Sequence, residues 1–189
     1  MKTKLILVLI VVNSFVSCAQ TNLKNYQCIE DYLQSRGIDN KRQAMVIKEK
    51  EKNKSALRIF YGGDEISSYS INYRSPLFEE QAWKVMYKTY STDTIVKDWK
   101  SADFPNYNFI FQNRKGLWTF NFFDKYENNQ MDVYFISEPM YYKNDKYIIF
   151  EFSEGITGTS GIQRNQIIIM TKENDKWKVV ETVYDYILH

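Results

Sequence analysis

Histidine is almost missing from this chain: there is one, His189. A Ser–His triad or a Cys–His pair therefore has no other imidazole to use as its base. Cysteine is nearly as scarce, with Cys18 and Cys28 alone. That leaves no cysteine–histidine cluster of the kind that binds zinc. Glycine and proline are also few, seven and three. No Gly/Pro/Ser-rich linker divides the chain, which favours one folded domain. Charge of one sign is lacking too, since the formal net charge is only +2. A nucleic-acid partner needs a clustered basic footprint, and none is present. Long apolar runs are absent except over residues 5–12. That run falls far short of the ~20 residues that cross a bilayer as a helix.

The short run has a specific setting. Lys2 and Lys4 precede it, Phe15 and Val16 extend it, and Ser17-Cys18 follow. A positive start, an apolar middle and a small residue at the end make an export signal. The Phe15-Val16-Ser17-Cys18 stretch resembles the lipobox of bacterial lipoproteins, with Phe15 where Leu is usual. The resemblance implies that Cys18 is acylated, as with palmitate, and becomes the new N-terminus. It also implies a membrane partner reached through that lipid. A rival reading is cleavage after Ala19, with Ser17 and Ala19 as the two small residues. It would give a secreted or periplasmic protein.

The expected organisation is a lipoprotein signal peptide over 1–17, a tether over 18–25 and one α+β domain over 26–189. Loss of Lys2 and Lys4 takes the basic count from 25 to 23, equal to the 23 acids, so the mature chain is neutral. Either cleavage leaves Cys28 as the one free thiol. No internal disulfide can form, so packing must hold the fold.

Within the domain, Leu23, Tyr26, Ile29 and Leu33 recur at helical spacing, and Gly37 provides a stop. A helix is expected over 22–36. Residues 44–47 read as a strand, 48–54 as a charged solvated turn, and 56–61 as a returning strand. Ser75-Pro76 reads as the N-cap and first residue of a second helix. Its apolar stripe is Phe78, Ala82, Val85, Met86 and Tyr90, flanked by Trp83 and Tyr87. Aromatic and branched runs over 109–111, 117–123, 131–136, 147–152, 166–171 and 177–184 read as strands. Asn144-Asp145 and Asn174-Asp175 each read as the turn of a β-hairpin. The fold class is then α+β, with N-terminal helices followed by an antiparallel β-meander sheet. Alternation of Trp177, Val179, Glu181 and Val183 suggests that one sheet face is wet.

Chemistry is harder to find. Gly155, Gly158, Thr159, Ser160 and Gly161 form the best candidate binding loop. It lacks the Gly-Lys-Ser/Thr ending of a phosphate loop and the strand-to-helix setting of a dinucleotide fingerprint. No catalytic residue, cofactor or metal is implied, because Asp64, Glu65 and Asp93 lack calcium-loop spacing. Glu151, Glu154 and Glu181 could line one sheet face and serve acid–base chemistry. Aromatics are abundant, with 15 Tyr, 12 Phe and 4 Trp. So many phenol hydroxyls favour rings that reach the surface, where they could stack on a glycan.

Three further stretches carry a second resemblance. They are Ile136-Ser137-Glu138-Pro139-Met140, the glycine loop after Phe152, and Lys176-Trp177-Lys178-Val179-Val180-Glu181. Through them residues 132–185 resemble small uncharacterised lipoproteins and secreted proteins of Bacteroidetes-type bacteria. The resemblance implies an envelope location and an α+β fold, with no activity attached. The expected function is a lipid-anchored, non-enzymatic module that binds a protein or a glycan, an immunity-type protein being one version. It would sit on the periplasmic face of the outer membrane. The alternative is a carboxylate-dependent hydrolase with residues 155–161 at its active-site mouth.

Overall fold

The computed structural model describes residues 26–63, 74–92, 97–118, 124–126, 129–157 and 165–185. The expected signal peptide and tether, the acids Asp64, Glu65 and Asp93, and Gly158, Thr159, Ser160 and Gly161 lie outside these residues. No helix among the described residues is long and apolar enough to cross a membrane.

Helix α1 spans Gln27–Ser35 and buries Cys28, Ile29, Tyr32 and Leu33. Residues 22–25 of the expected helix lie outside the described residues. Its end is as expected: Gly37 takes φ +71°. The Gly37 and Ile38 N–H groups donate to Gln34 O and Leu33 O, closing the last turn. Strand β1 follows at Ala44–Ile47, buried throughout.

The stretch expected to return as a strand is instead helix α2, Asn53–Tyr61. Ala56, Leu57, Ile59 and Phe60 are its buried residues. Their spacing is that of a helix face, which a six-residue apolar run does not separate cleanly from a strand. Helix α3 spans Glu80–Tyr90 and starts after the expected Ser-Pro cap. Ser75 opens a turn instead, its carbonyl accepting from Phe78 N–H at 3.0 Å. Its hydroxyl donates to Glu181 Oε2 at 2.5 Å. The expected stripe is also displaced: Met86 is buried, but Val85 is 67% exposed.

Six further strands complete one seven-stranded sheet. They are β2 (Phe109–Gln112), β3 (Asp132–Ile136), β4 (Met140–Tyr142), β5 (Tyr147–Ile156), β6 (Gln166–Glu173) and β7 (Lys176–Tyr184). The order is β2-β1-β3-β5-β6-β7, with β4 paired to β5. The sheet is mixed, which corrects the expected antiparallel meander. β1 lies between β2 and β3 and runs parallel to both. The rest is antiparallel. Both Asn-Asp turns appear where expected, with Asn174 and Asp175 at φ 49° and 63°. Two successive residues of positive φ match the right-handed twist of the hairpin strands.

The expectation of one wet face also fails at the centre of the sheet. On β5, Ile148, Phe150 and Phe152 face a core built with α1. Ile149, together with Ile167 and Ile169 of β6, faces a second core under α2 and α3. Helices therefore cover both faces. β7 joins both cores because of a bulge: Val179 pairs with Met170, whereas Glu181 pairs with Ile169. Val180 is the extra residue. Trp177 thus packs on the α1 side and Val183 on the other, so they do not share a face.

Tyr26, the first described residue, is clamped. Lys50 Nζ lies 3.9 Å from the Trp99 ring centre and 4.8 Å from that of Tyr26. It donates to the Tyr26 hydroxyl at 2.8 Å and pairs with Glu138 Oε1 at 3.3 Å. Lys97 holds the other Glu138 oxygen at 3.3 Å. The Lys50 side chain is only 8% exposed, so ring faces and carboxylate replace its water.

Cys28 is fully buried in the α1 core, and burial pushes its thiol up to about 12. A thiol this far from ionising is a poor nucleophile. The native protein should resist a thiol reagent at neutral pH, and Cys28→Ala should cost on the order of 1 kcal/mol. Rapid labelling without unfolding would contradict this.

Candidate functional site

The three acids named from the sequence do not converge. Residues 151 and 154 are an odd number apart on β5, so their side chains leave opposite faces of the sheet. Glu154 pairs with Arg36 on the α1 side at 3.0 Å. Glu181 accepts the Ser75 hydroxyl on the other side. Gly155 lies within β5, opposite Val133, and is not part of an open loop.

Glu151 alone has an unusual setting. It is 1% exposed beneath α2, and its Oε2 has no hydrogen-bond partner. Burial is the main cause that pushes its carboxyl up to about 8. The nearby Glu51 carboxylate adds to the rise, and a hydrogen bond with Ser55 and the charge of Arg58 oppose it. Arg58 also pairs with Asp185 at 2.5 Å, tying α2 to the end of β7. Arg114 pairs with Glu51 at the other end of the group. Glu151 thus holds its proton well above the usual carboxylate range, inside a charged frame.

The second feature is a row of rings along α3 and the end of α2, at the rim of the second core, against which Phe78 and Trp83 pack. Trp83 and Tyr87 are four apart on α3, hence one above the other on one side of the helix. Their ring centres are 4.9 Å apart, with planes at 34°. Tyr61, the last residue of α2, extends the row with its centre 4.7 Å from Trp83 at 44°. Phe78 lies beside it, 5.8 Å from Tyr61 and 6.3 Å from Trp83. Tyr87 is 39% exposed, and Tyr61, Phe78 and Trp83 are half-buried.

The row is held in place from below and from one end. Trp83 Nε1 donates to Leu57 O at 3.2 Å. The Arg74 guanidinium lies 4.9 Å from the Tyr61 ring centre and 4.7 Å from that of Phe78. Arg74 Nε also donates to Tyr61 O at 3.1 Å. Charges border the row in pairs: Glu80 with Lys84 at 2.7 Å and Glu79 with Lys143 at 3.1 Å.

Sequence reasoning named Trp83 and Tyr87 only as flanks of a buried stripe. Their four-residue spacing was the available signal. Tyr61 comes from another helix, itself read as a strand, so nothing local linked it to them. No family model, no curated protein and no solved structure matches this chain.

Proposed function

We propose that this protein is an envelope lipoprotein held by a lipid on Cys18, and that it acts as a non-enzymatic binding module. Its ligand is a protein or a glycan, and Tyr61, Trp83 and Tyr87 are its contact face. The ring row is the observation that carries this reading. Pre-set aromatic side chains give large contact area at little entropic cost. Placement supports it as well. Tyr26, the first described residue, packs in the α1 core, and the rings lie on the α2–α3 layer. A tether arriving at Tyr26 leaves the ring face turned to the other side of the sheet. The outer membrane, periplasmic face, is the location that fits the lipobox and the Bacteroidetes-type resemblance.

Two measurements test this reading. Cells fed a clickable fatty acid should label the wild type and not Cys18→Ala. Equal labelling, or a mature terminus at Gln20 by mass spectrometry, would sink the anchor. Crosslinking in intact cells should trap a ligand on the wild type and much less on Trp83→Ala.

Glu151 favours a second reading, the carboxylate-dependent hydrolase. A carboxyl that titrates near neutrality suits a general acid. Its near-complete burial and the dispersal of Glu154 and Glu181 weigh against it. Hydrolysis of nitrophenyl esters or glycosides that disappears in Glu151→Gln would favour this reading over the first.

A further inference from the structure

We infer that the outer edge of β7 pairs with the same edge of a second copy of this chain, antiparallel and about a two-fold axis at Thr182. β7 is the last strand in the sheet order and pairs with β6 alone. Its other edge carries backbone N–H and C=O groups that no strand among the described residues meets. Such an edge is a template for a further strand.

The edge is covered at its start and open at its end. Trp177 N–H donates to Asp31 Oδ2 of α1 at 2.8 Å, so α1 closes the edge there. At the far end Asp185 N–H donates inward to Asn165 O at 2.7 Å. Backbone groups alternate sides along a strand, so Tyr184 and Thr182 turn theirs outward. Exposed side chains mark the same stretch. Val179, Val180 and Tyr184 are 39%, 45% and 45% exposed, three of the seven exposed large apolar residues among those described. Edges are commonly guarded by lysine or proline. Here Lys176 and Lys178 are exposed, but both precede the open stretch. Within it the one charge is Glu181, whose carboxylate accepts the Ser75 hydroxyl.

Charge and side-chain order select a second copy in this orientation. Parallel self-pairing would set Lys176 and Lys178 beside their own counterparts, and like charges side by side are unfavourable. Antiparallel pairing about Thr182 carries both lysines out of the shared stretch. Glu181 of each copy then stands opposite Val183 of the other. Moving the axis to Glu181 would oppose two carboxylates instead. Lys178 is held by Glu173 at 2.7 Å and Asp185 by Arg58 at 2.5 Å within each copy, so neither adds repulsion. The Val180-x-Thr182-x-Tyr184 order is also self-complementary. The two Thr182 residues meet on the axis, and each Tyr184 comes opposite Val180 of the other copy. Thr–Thr pairs and pairs of an aromatic with a β-branched residue both stabilise antiparallel strands. The bulge at Val180 ends the pairing on that side. Because the surface meets itself, the assembly closes at two copies.

Sedimentation velocity of the full chain in mild detergent, with cysteine trapping, tests this. At about 50 µM the wild type should sediment at twice the chain mass. Tyr184→Lys should raise the dimer dissociation constant at least about tenfold. Thr182→Pro removes an outward N–H and no ladder bond to β6, so it should give a folded monomer. Tyr184 is exposed enough that its lysine variant should melt like wild type, so the test holds even if Thr182→Pro folds poorly. Directly opposed residues have Cα atoms about 5.5 Å apart, within disulfide reach. Mild oxidation should therefore trap Thr182→Cys as a covalent dimer and leave Val85→Cys monomeric. A wild type that stays monomeric at about 100 µM would overturn the inference. So would a dimer that Tyr184→Lys leaves unchanged, or trapping of Thr182→Cys no better than that of Val85→Cys. If Thr182→Cys traps a different protein in cells and not its own copy, the edge serves another partner and this inference fails.

Discussion

Trp99→Ala should lower the unfolding free energy by about 3–5 kcal/mol, a large share of what a domain of this size has to lose. Trp99 is among the largest fully buried side chains. Its ring meets Tyr26 edge-on at 4.8 Å and Phe104 at 5.1 Å. Its Nε1 donates to Ile136 O at 3.0 Å in a buried place. Truncation would empty that volume, leave the Ile136 carbonyl with the Glu51 N–H as its remaining donor and strip Lys50 of a ring face. These three losses act together, since they share one site. Val85→Ala, at an exposed position, should stay within about 0.5 kcal/mol of wild type. Urea denaturation of the two variants measures the difference. A Trp99→Ala midpoint close to that of Val85→Ala would show that the clamp is not part of the core.

Glu151→Gln should stabilise the protein at alkaline pH. The carboxyl holds its proton up to about pH 8 when folded, against an ordinary value of 4.5. Below about pH 4.5 both folded and unfolded chains are protonated there, and the group has no effect on the balance. As pH rises the unfolded chain gives up the proton and the folded one keeps it. Stability is therefore lost progressively from about pH 4.5 to about pH 8, above which the loss is constant. At 1.36 kcal/mol per tenfold step the full loss is at most about 4–5 kcal/mol. Glutamine carries no proton to lose, so the gap between variant and wild type should open over this window. Melting temperatures at pH 5 and pH 9 decide it. Parallel curves for the two proteins would mean that the acid is ionised in the fold.

The reading from residues succeeded where geometry is local. Gly37 ends α1 because only the left-handed region closes that turn, and Asn174-Asp175 turns a hairpin for a related reason. It failed where a choice depends on distant partners. The apolar run of β1 carries no mark of lying parallel between β2 and β3. Residues 56–61 could serve strand or helix, and the sheet beneath decided for helix. The alternation in β7 was misleading because Val180 is inserted, and nothing in Val179-Val180-Glu181 announces a bulge. The candidate site divides in the same way. The separation of Glu151 from Glu154 follows from their spacing alone. The union of Tyr61 with Trp83 and Tyr87 needed the packing of two helices.

The Tyr26 clamp has a mechanical consequence. A pull applied at Tyr26 meets several partners at once. Its hydroxyl is held by Lys50, just beyond β1, and by Glu138, just before β4. Its ring leans on Trp99, from the segment ahead of β2. Force arriving there is divided among three stretches that are far apart along the chain. All three are tied to the sheet, through Glu51 N–H to Ile136 O, Trp99 N–H to Lys48 O and Ser137 N–H to Glu151 O. A tug therefore meets the sheet as a body rather than the first turn of α1, much as a rivet passes strain from a cable to a plate.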